Sequence, residues 1–258
     1  MRARGHFKPD FHLPKAILTD STTAIAPASA NPALLTIDIV SDVVCPWCYI
    51  GKRKLEAALA LPQAADLPPV RIRWHPFQLN PDLPEAGMPR KQYLEDKFGG
   101  PARTAEMYAR VHAAGAAVGL DLNFGAIQQQ ANTLAAHALI AFAQEDGQNG
   151  TDNAVGNKIK ERLMQAYFVE GRFIGSIDVL TQIAVEAGLD GEAARAYVSD
   201  PTHLAAVAQA DAQARQMGVS GVPFFIFNQK VAVSGAQDPQ TLLAAMQQAV
   251  AAIAAAAA

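Results

Sequence analysis

The sequence predicts an α/β fold carrying a large all-helical insertion, and three observations predict it. A strand–helix–strand pattern occupies residues 34–75. A stretch of helical texture, rich in alanine, runs from about 88 to 217. Two short apolar runs and a helix then close the chain, so the order is βαβ, a long helical segment, ββα.

Residues 34–40, LLTIDIV, form a short apolar run that reads as a buried strand. The next helix begins after Cys45, because Pro46 suits a first helical position whose N–H has no intrahelical partner anyway. Ile50, Ala57, Ala58 and Leu61 recur on one face of it, with Lys52, Arg53 and Glu56 elsewhere, and Pro62 ends it. In VRIRWH, residues 70–75, Val70, Ile72 and Trp74 alternate with Arg71, Arg73 and His75. That pattern predicts a strand with one wet face at a sheet edge.

Helices are expected over 89–98, 102–118, 126–145, 152–169, 176–187, 191–198 and 201–216. Asp200 before Pro201 reads as an N-cap and first-turn proline, and Gly218 as a stop. FFIF at 224–227 and VAVS at 231–234 read as a hairpin joined by Asn228-Gln229-Lys230. Asp238-Pro239 opens the last helix, which runs to about Ile253.

Of the 258 residues, 50% are hydrophobic and 17% charged, which is enough to pack a core. A net charge of -3 argues against a broad nucleic-acid or anionic-membrane surface. No run approaches the roughly 18 apolar residues of a spanning helix, so no membrane partner is expected. Residues 1–33 hold Arg2, Arg4, Lys8 and four prolines but no apolar stretch longer than Ala16-Ile17-Leu18. They read as a flexible arm rather than a secretory signal, which makes a cytoplasmic location the expectation.

The chain has two cysteines, Cys45 and Cys48, separated by Pro46 and Trp47. Cys45 falls at a helix N-terminus, where unpaired N–H groups and the helix dipole favour a thiolate. Cys48 lies one turn further in, placed to resolve a mixed disulfide formed at Cys45. A structural disulfide closing so small a loop would remove little chain entropy, and a zinc site needs about four ligands where only two thiols are present. No metal is expected. Inert core cysteines are the remaining alternative. Trp47 puts no positive charge between the sulfurs, which predicts a milder oxidant than a C-P-H-C enzyme.

In GVSGVPFF, residues 218–225, Val222-Pro223 stands just before a strand. A proline there cannot donate to the ladder. The residues alone leave two readings open: a trans proline ending a loop, or a cis bond beside the cysteines that exposes the Val222 backbone to a peptide.

The C-x-x-C at a strand–helix junction, the distant Val-Pro before a ββα unit and the helices between them together resemble the thioredoxin-fold DsbA family. SDVVCPWCYIGKRKLE, PFQLNPDLP, NTLAAHALIAFA, AYFVEG, GVSGVPFFIF and SGAQ resemble its FrnE-like branch, over about residues 35–248. The resemblance implies a thioredoxin-like fold divided as 34–87 and 200–258 around an insertion at 88–199. It implies Cys45 as the attacking cysteine, Cys48 as the resolving one, Pro223 as a cis-proline and Val222 as the residue that pairs with substrate backbone.

The implied function is thiol–disulfide exchange with protein or small-molecule thiols and disulfides, with no bound cofactor and with glutathione as a candidate co-substrate. Some FrnE-like proteins carry a further cysteine pair, which this chain lacks. Related 2-hydroxychromene-2-carboxylate isomerases and kappa-class glutathione transferases usually have serine at the attacking position, so two cysteines favour redox chemistry. A glutathione-dependent isomerase or transferase acting on a small aromatic or polyketide-like substrate is the competing expectation, and a redox sensor a third.

Asp42, three residues before Cys45, reads either as a proton relay or as a capping carboxylate. Asn80 is expected to line the cleft beside the cysteines, and Asn132 and His137 to meet substrate or glutathione; a capping asparagine and a core histidine are the alternatives. Lys52, Arg53 and Lys54 read as a solvated basic face with a modest pull on the thiolate.

Overall fold

A computed structural model describes residues 34–146 and 153–257. The expectation of a flexible arm at 1–33 lies outside the described residues. The chain begins with β1 (Leu35–Ser41), α1 (Pro46–Leu59) and β2 (Val70–Pro76). A helical stretch follows: β3 (Met88–Pro89), α2 (Arg90–Phe98), α3 (Pro101–Ala116), β4 (Gln129–Gln130), α4 (Leu134–Asp146), α5 (Ala154–Phe168), α6 (Ile177–Glu186), α7 (Gly191–Ser199) and α8 (Pro201–Gln216). The chain returns through β5 (Phe224–Phe227) and β6 (Val231–Ser234) to α9 (Pro239–Ala257).

The main sheet has the order β2-β1-β5-β6. β1 and β2 are parallel, while β5 is antiparallel to both of its neighbours. On β1, one of the two inner strands, Leu35, Ile37 and Ile39 are sealed from solvent. Phe225 and Phe227 of β5 are equally buried, and each contributes roughly 1.5–3 kcal/mol by leaving water. The hairpin forms as expected. Asn228 and Gln229 take positive φ, as primed hairpin turns require. Asn228 Oδ1 accepts the Thr36 N–H at 2.8 Å, which fastens the turn to β1.

β2 is an edge strand, as its alternation predicts, but its polar face is half-buried rather than wet. Asp38, on β1, is the reason. It is 2% exposed and takes Arg73 in a two-pronged ion pair at 2.7 and 2.9 Å, with His75 Nε2 at 2.8 Å. Burial alone would raise the Asp38 pKa, but His75 and Arg73 hold it below the usual value. The outer edge of β2 meets side-chain amides of the helical segment. Gln144 exchanges two hydrogen bonds with the Trp74 backbone, and Asn153 donates to the Ile72 carbonyl. Such cover removes an edge that would otherwise pair with another chain.

α4 starts at Leu134, eight residues later than the periodicity of 126–145 suggests. Gln129 and Gln130 pair instead with β3, and the Arg90 N–H reaches the Gln128 carbonyl. Asn132 then accepts the Leu134 N–H at 2.9 Å, and a helix running through it would forfeit that cap. α8 opens on Asp200 and Pro201 as expected, with the Asp200 carboxylate accepting the Thr202 N–H.

Candidate active site

Cys45 is the N-cap of α1 and Pro46 its first helical residue, so the strand–helix junction is where the sequence puts it. Its carbonyl accepts the Cys48 N–H at 3.0 Å, which folds Cys48 into the first turn beneath it. Both cysteines are free thiols, 3.5 Å apart, and only 5% and 1% exposed. Trp47 points outward, 41% exposed.

The Val222–Pro223 bond is cis. It brings the Val222 carbonyl oxygen to 3.7 Å from the Cys45 sulfur. Gly51 permits the approach. A Cβ there would lie 2.8 Å from Pro223 Cγ and 3.3 Å from the Phe225 ring, so α1 could not sit this close to the proline with any side chain at 51. The Pro223 carbonyl then accepts the Gly235 N–H, which ties the loop to the end of β6.

Asp42 is fully buried and acts in two directions. Its Oδ2 accepts the Leu79 N–H at 2.8 Å, and its Oδ1 faces His137 Nε2 at 3.3 Å. Its own carbonyl accepts the Cys45 N–H. His137 is 4% exposed and meets the site from behind, through Asp42. Asn132 holds the loop around residue 80 by donating to the Leu83 carbonyl at 2.7 Å while capping α4. Asn80 accepts from Tyr93 and Lys97 at the rim of an open depression of ≈ 470 Å³. Leu79, Met88 and Asp96 complete that rim, and neither cysteine reaches it.

Lys52 and Arg53 do not form a solvated face. Lys52 is 7% exposed, and both cations close on Glu161 of α5, whose carboxylate also accepts the Tyr49 hydroxyl at 2.7 Å. Opposite charge across the α1–α5 contact explains the burial. Lys54 pairs with Asp238 at 2.9 Å.

One group at the site went unsingled in the sequence: Lys160. It is fully buried, with its Nζ unpartnered among the described residues and 5.1 Å from the centre of the Trp74 ring. The available signal was positional, because Lys160 shares a helical stripe with Gly156, Leu163 and Tyr167, all buried. Burial pulls its pKa down to about 8, with Cys48, Asp42 and Cys45 acting in the opposite direction.

The two thiols sit close enough to influence each other's proton affinity. Cys45 is held well above the ordinary thiol value by its S–H bond to Cys48 and by burial. Burial acts against the Cys48 thiolate as well, but the Cys45 S–H, the Lys160 charge and the Ser41 hydroxyl outweigh it and keep Cys48 low. The helix position of Cys45 alone suggests the reverse order. The arrangement therefore offers two thiols in the first turn of α1 and a backbone carbonyl beside Cys45.

Comparison with known proteins agrees with this fold. The model of the DsbA-like thioredoxin domain matches residues 36–247. The Bacillus subtilis protein YwbO is 29% identical over 200 residues, 76% of this chain and 88% of its own. The crystal structure of a probable DsbA oxidoreductase, SCO1869 from Streptomyces coelicolor, has 29% identity and a TM-score of 0.72, covering 83% of this chain and 89% of that one. The cytosolic disulfide reductase DsbM from Pseudomonas aeruginosa, solved with GSH, shares the fold at 20% identity and a TM-score of 0.53, covering 84% and 96%. No helix among the described residues is long and apolar enough to cross a membrane. The chain belongs to the DsbA-like thioredoxin domain family, with the thioredoxin-like sheet and the inserted helices that its sequence predicts.

Proposed function

We propose that the protein is a thiol–disulfide oxidoreductase that exchanges disulfides with protein or small-molecule thiols through Cys45 and Cys48. The observation that carries the reading is the juxtaposition of two free thiols at the start of α1 with the carbonyl of the cis Val222–Pro223 bond. A substrate strand lying beside Val222 would present its sulfur to Cys45, the more exposed of the pair.

In the oxidising direction a substrate thiolate attacks Cys45 Sγ of the Cys45–Cys48 disulfide. A substrate–Cys45 S–S bond forms, and the old bond breaks with its electron pair on Cys48. A second substrate thiolate then attacks the substrate sulfur and expels Cys45 as thiolate. The substrate gains a disulfide and the protein two electrons. In reverse, Cys45 attacks a substrate disulfide and Cys48 resolves the mixed species. Glutathione, a small thiol, is a co-substrate consistent with either direction.

Exchange between glutathione disulfide and a dithiol peptide tests the reading. Turnover is expected from the wild type and from neither Cys45→Ser nor Cys48→Ser. A glutathione-dependent conversion of a small aromatic substrate that survives Cys48→Ser would contradict it.

A further inference from the structure

We propose that Asp211 and Arg215 of α8 are positioning residues for disulfide exchange: together they grip the backbone of Gln78 and so hold Val222 in its place beside Cys45. This rests on the oxidoreductase reading above.

β2 ends at Pro76, so the peptide groups that follow it have no strand to pair with. A buried backbone N–H or C=O needs a partner. Gln78 is 4% exposed and finds both of its partners on one turn of α8. Asp211, itself 6% exposed, accepts the Gln78 N–H at 2.7 Å, and Arg215 donates to the Gln78 carbonyl. An ion pair at 2.9 Å joins the two side chains. The guanidinium also lies 4.1 Å from the centre of the Phe77 ring. Charge-assisted bonds from a planar, forked donor fix direction as well as distance, which a single neutral bond would not.

What is gripped borders the docking point. Phe77 forms a small buried cluster with Val40, Ala214, Val219 and Ile226, and Leu79, Val222 and Phe224 pack against it. Val222 thus rests on the cluster whose Phe77 ring Arg215 covers. The backbone supplies a second link. The Arg215 carbonyl accepts the Gly218 N–H at 3.0 Å, and the Ala214 carbonyl accepts the Val219 N–H at 3.1 Å. The loop that ends in Val222–Pro223 therefore hangs from the same turn of α8. On the other side, Leu79 is fastened to Asp42, whose carbonyl accepts the Cys45 N–H. Residues 77–79 form a short bridge between the turn that carries the Val222 loop and the loop that carries Cys45. The side-chain bonds of Asp211 and Arg215 run to Gln78 and to each other, so the clamp acts on where a substrate backbone docks rather than on the sulfurs.

Exchange with two disulfides that share a mercaptoethanol half tests this. One is a peptide whose cysteine is capped by mercaptoethanol, which has a backbone to lie beside Val222; the other is hydroxyethyl disulfide, which has none. The reduced protein is mixed with each, and its oxidation to the Cys45–Cys48 disulfide is followed in time. In Arg215→Met the rate with the peptide should fall about tenfold, because a displaced docking group loses the alignment on which the rate depends. The rate with hydroxyethyl disulfide and the potential in a glutathione buffer should stay at wild-type values. Asp211→Asn keeps an acceptor for the Gln78 N–H and should show the same selective loss at smaller size. If circular dichroism shows Arg215→Met unfolded, Arg215→Lys carries the test, since a lysine lacks the fork that meets both acceptors and should show the selective loss as well. Folded variants with a wild-type rate for the peptide would overturn the proposal and leave the oxidoreductase reading standing. Equal losses with both disulfides would overturn it too, by placing the effect on the cysteines. A wild type that reduces neither disulfide would overturn both readings.

Discussion

The Cys45 sulfur lies 3.7 Å from the carbonyl oxygen of Val222, a residue 177 positions away. The helical segment separates the two in sequence, and β5, antiparallel to β1, returns the second to the first. A nucleophile and a backbone docking point are thus joined by sheet register rather than by a loop.

Gly51 sets how closely α1 approaches that docking point. In Gly51→Ala the added Cβ would meet Pro223 Cγ at 2.8 Å. Overpacking of this kind costs about 1–3 kcal/mol, against a helix-propensity gain of about 1 kcal/mol. Urea unfolding is expected to show a net loss, and disulfide exchange to slow as α1 shifts from the proline. A more stable variant with unchanged exchange would show that the contact does not constrain α1.

Asp42 fastens the Leu79 backbone to the loop that precedes α1. Asp42→Ala leaves the Leu79 N–H without its acceptor and should destabilise the fold by about 1–3 kcal/mol. Asp42→Asn keeps an acceptor oxygen and should lose less. Equal losses in thermal unfolding would mean that the charge facing His137, not the hydrogen bond to Leu79, carries the effect.

Acid should weaken the fold through two carboxylates. Burial acts to raise both, yet Asp38 is lowered by His75 and Arg73, and Glu161 by Arg53 and Lys52. With the folded values depressed, the unfolded chain takes up protons first as pH falls. The stability these groups contribute is therefore full above about pH 5 and is lost as pH drops through about 4 and below. Melting temperature measured between pH 6 and 3 should fall less steeply in Asp38→Asn and Glu161→Gln, from a lower starting value. Slopes identical to wild type would contradict the assignment.

Trp47 is exposed, so Trp47→Ala should change stability by less than about 0.5 kcal/mol. Its effect should appear in exchange with peptide substrates, through a raised KM, because the exposed ring follows Cys45 by two residues in the first turn of α1. Unchanged KM for peptides would remove Trp47 from the substrate surface.

What the sequence displayed was local. The run at 34–40, the alternation at 70–75 and the hairpin at 224–234 each carry their pattern within a few residues, and each strand appears where it was expected. The two cysteines were legible for the same reason. The cis geometry at Val222–Pro223 was not: the residues fit either isomer, and only the resemblance to a family decided between them. Pairing across long separations left no local trace. Lys52 and Arg53 look like surface residues until Glu161, more than a hundred positions on, closes over them. Lys160 looks like an ordinary helix lysine until α5 turns that stripe into the core, over the Trp74 ring.

The most direct test of the central claim is the mass of the adduct formed when Cys48→Ser is incubated with glutathione disulfide. A single glutathione should remain on Cys45, while the wild type passes on to the Cys45–Cys48 disulfide and retains none. Failure of Cys45 to form the adduct, or an adduct equally stable in the wild type, would contradict the pairing of an attacking Cys45 with a resolving Cys48.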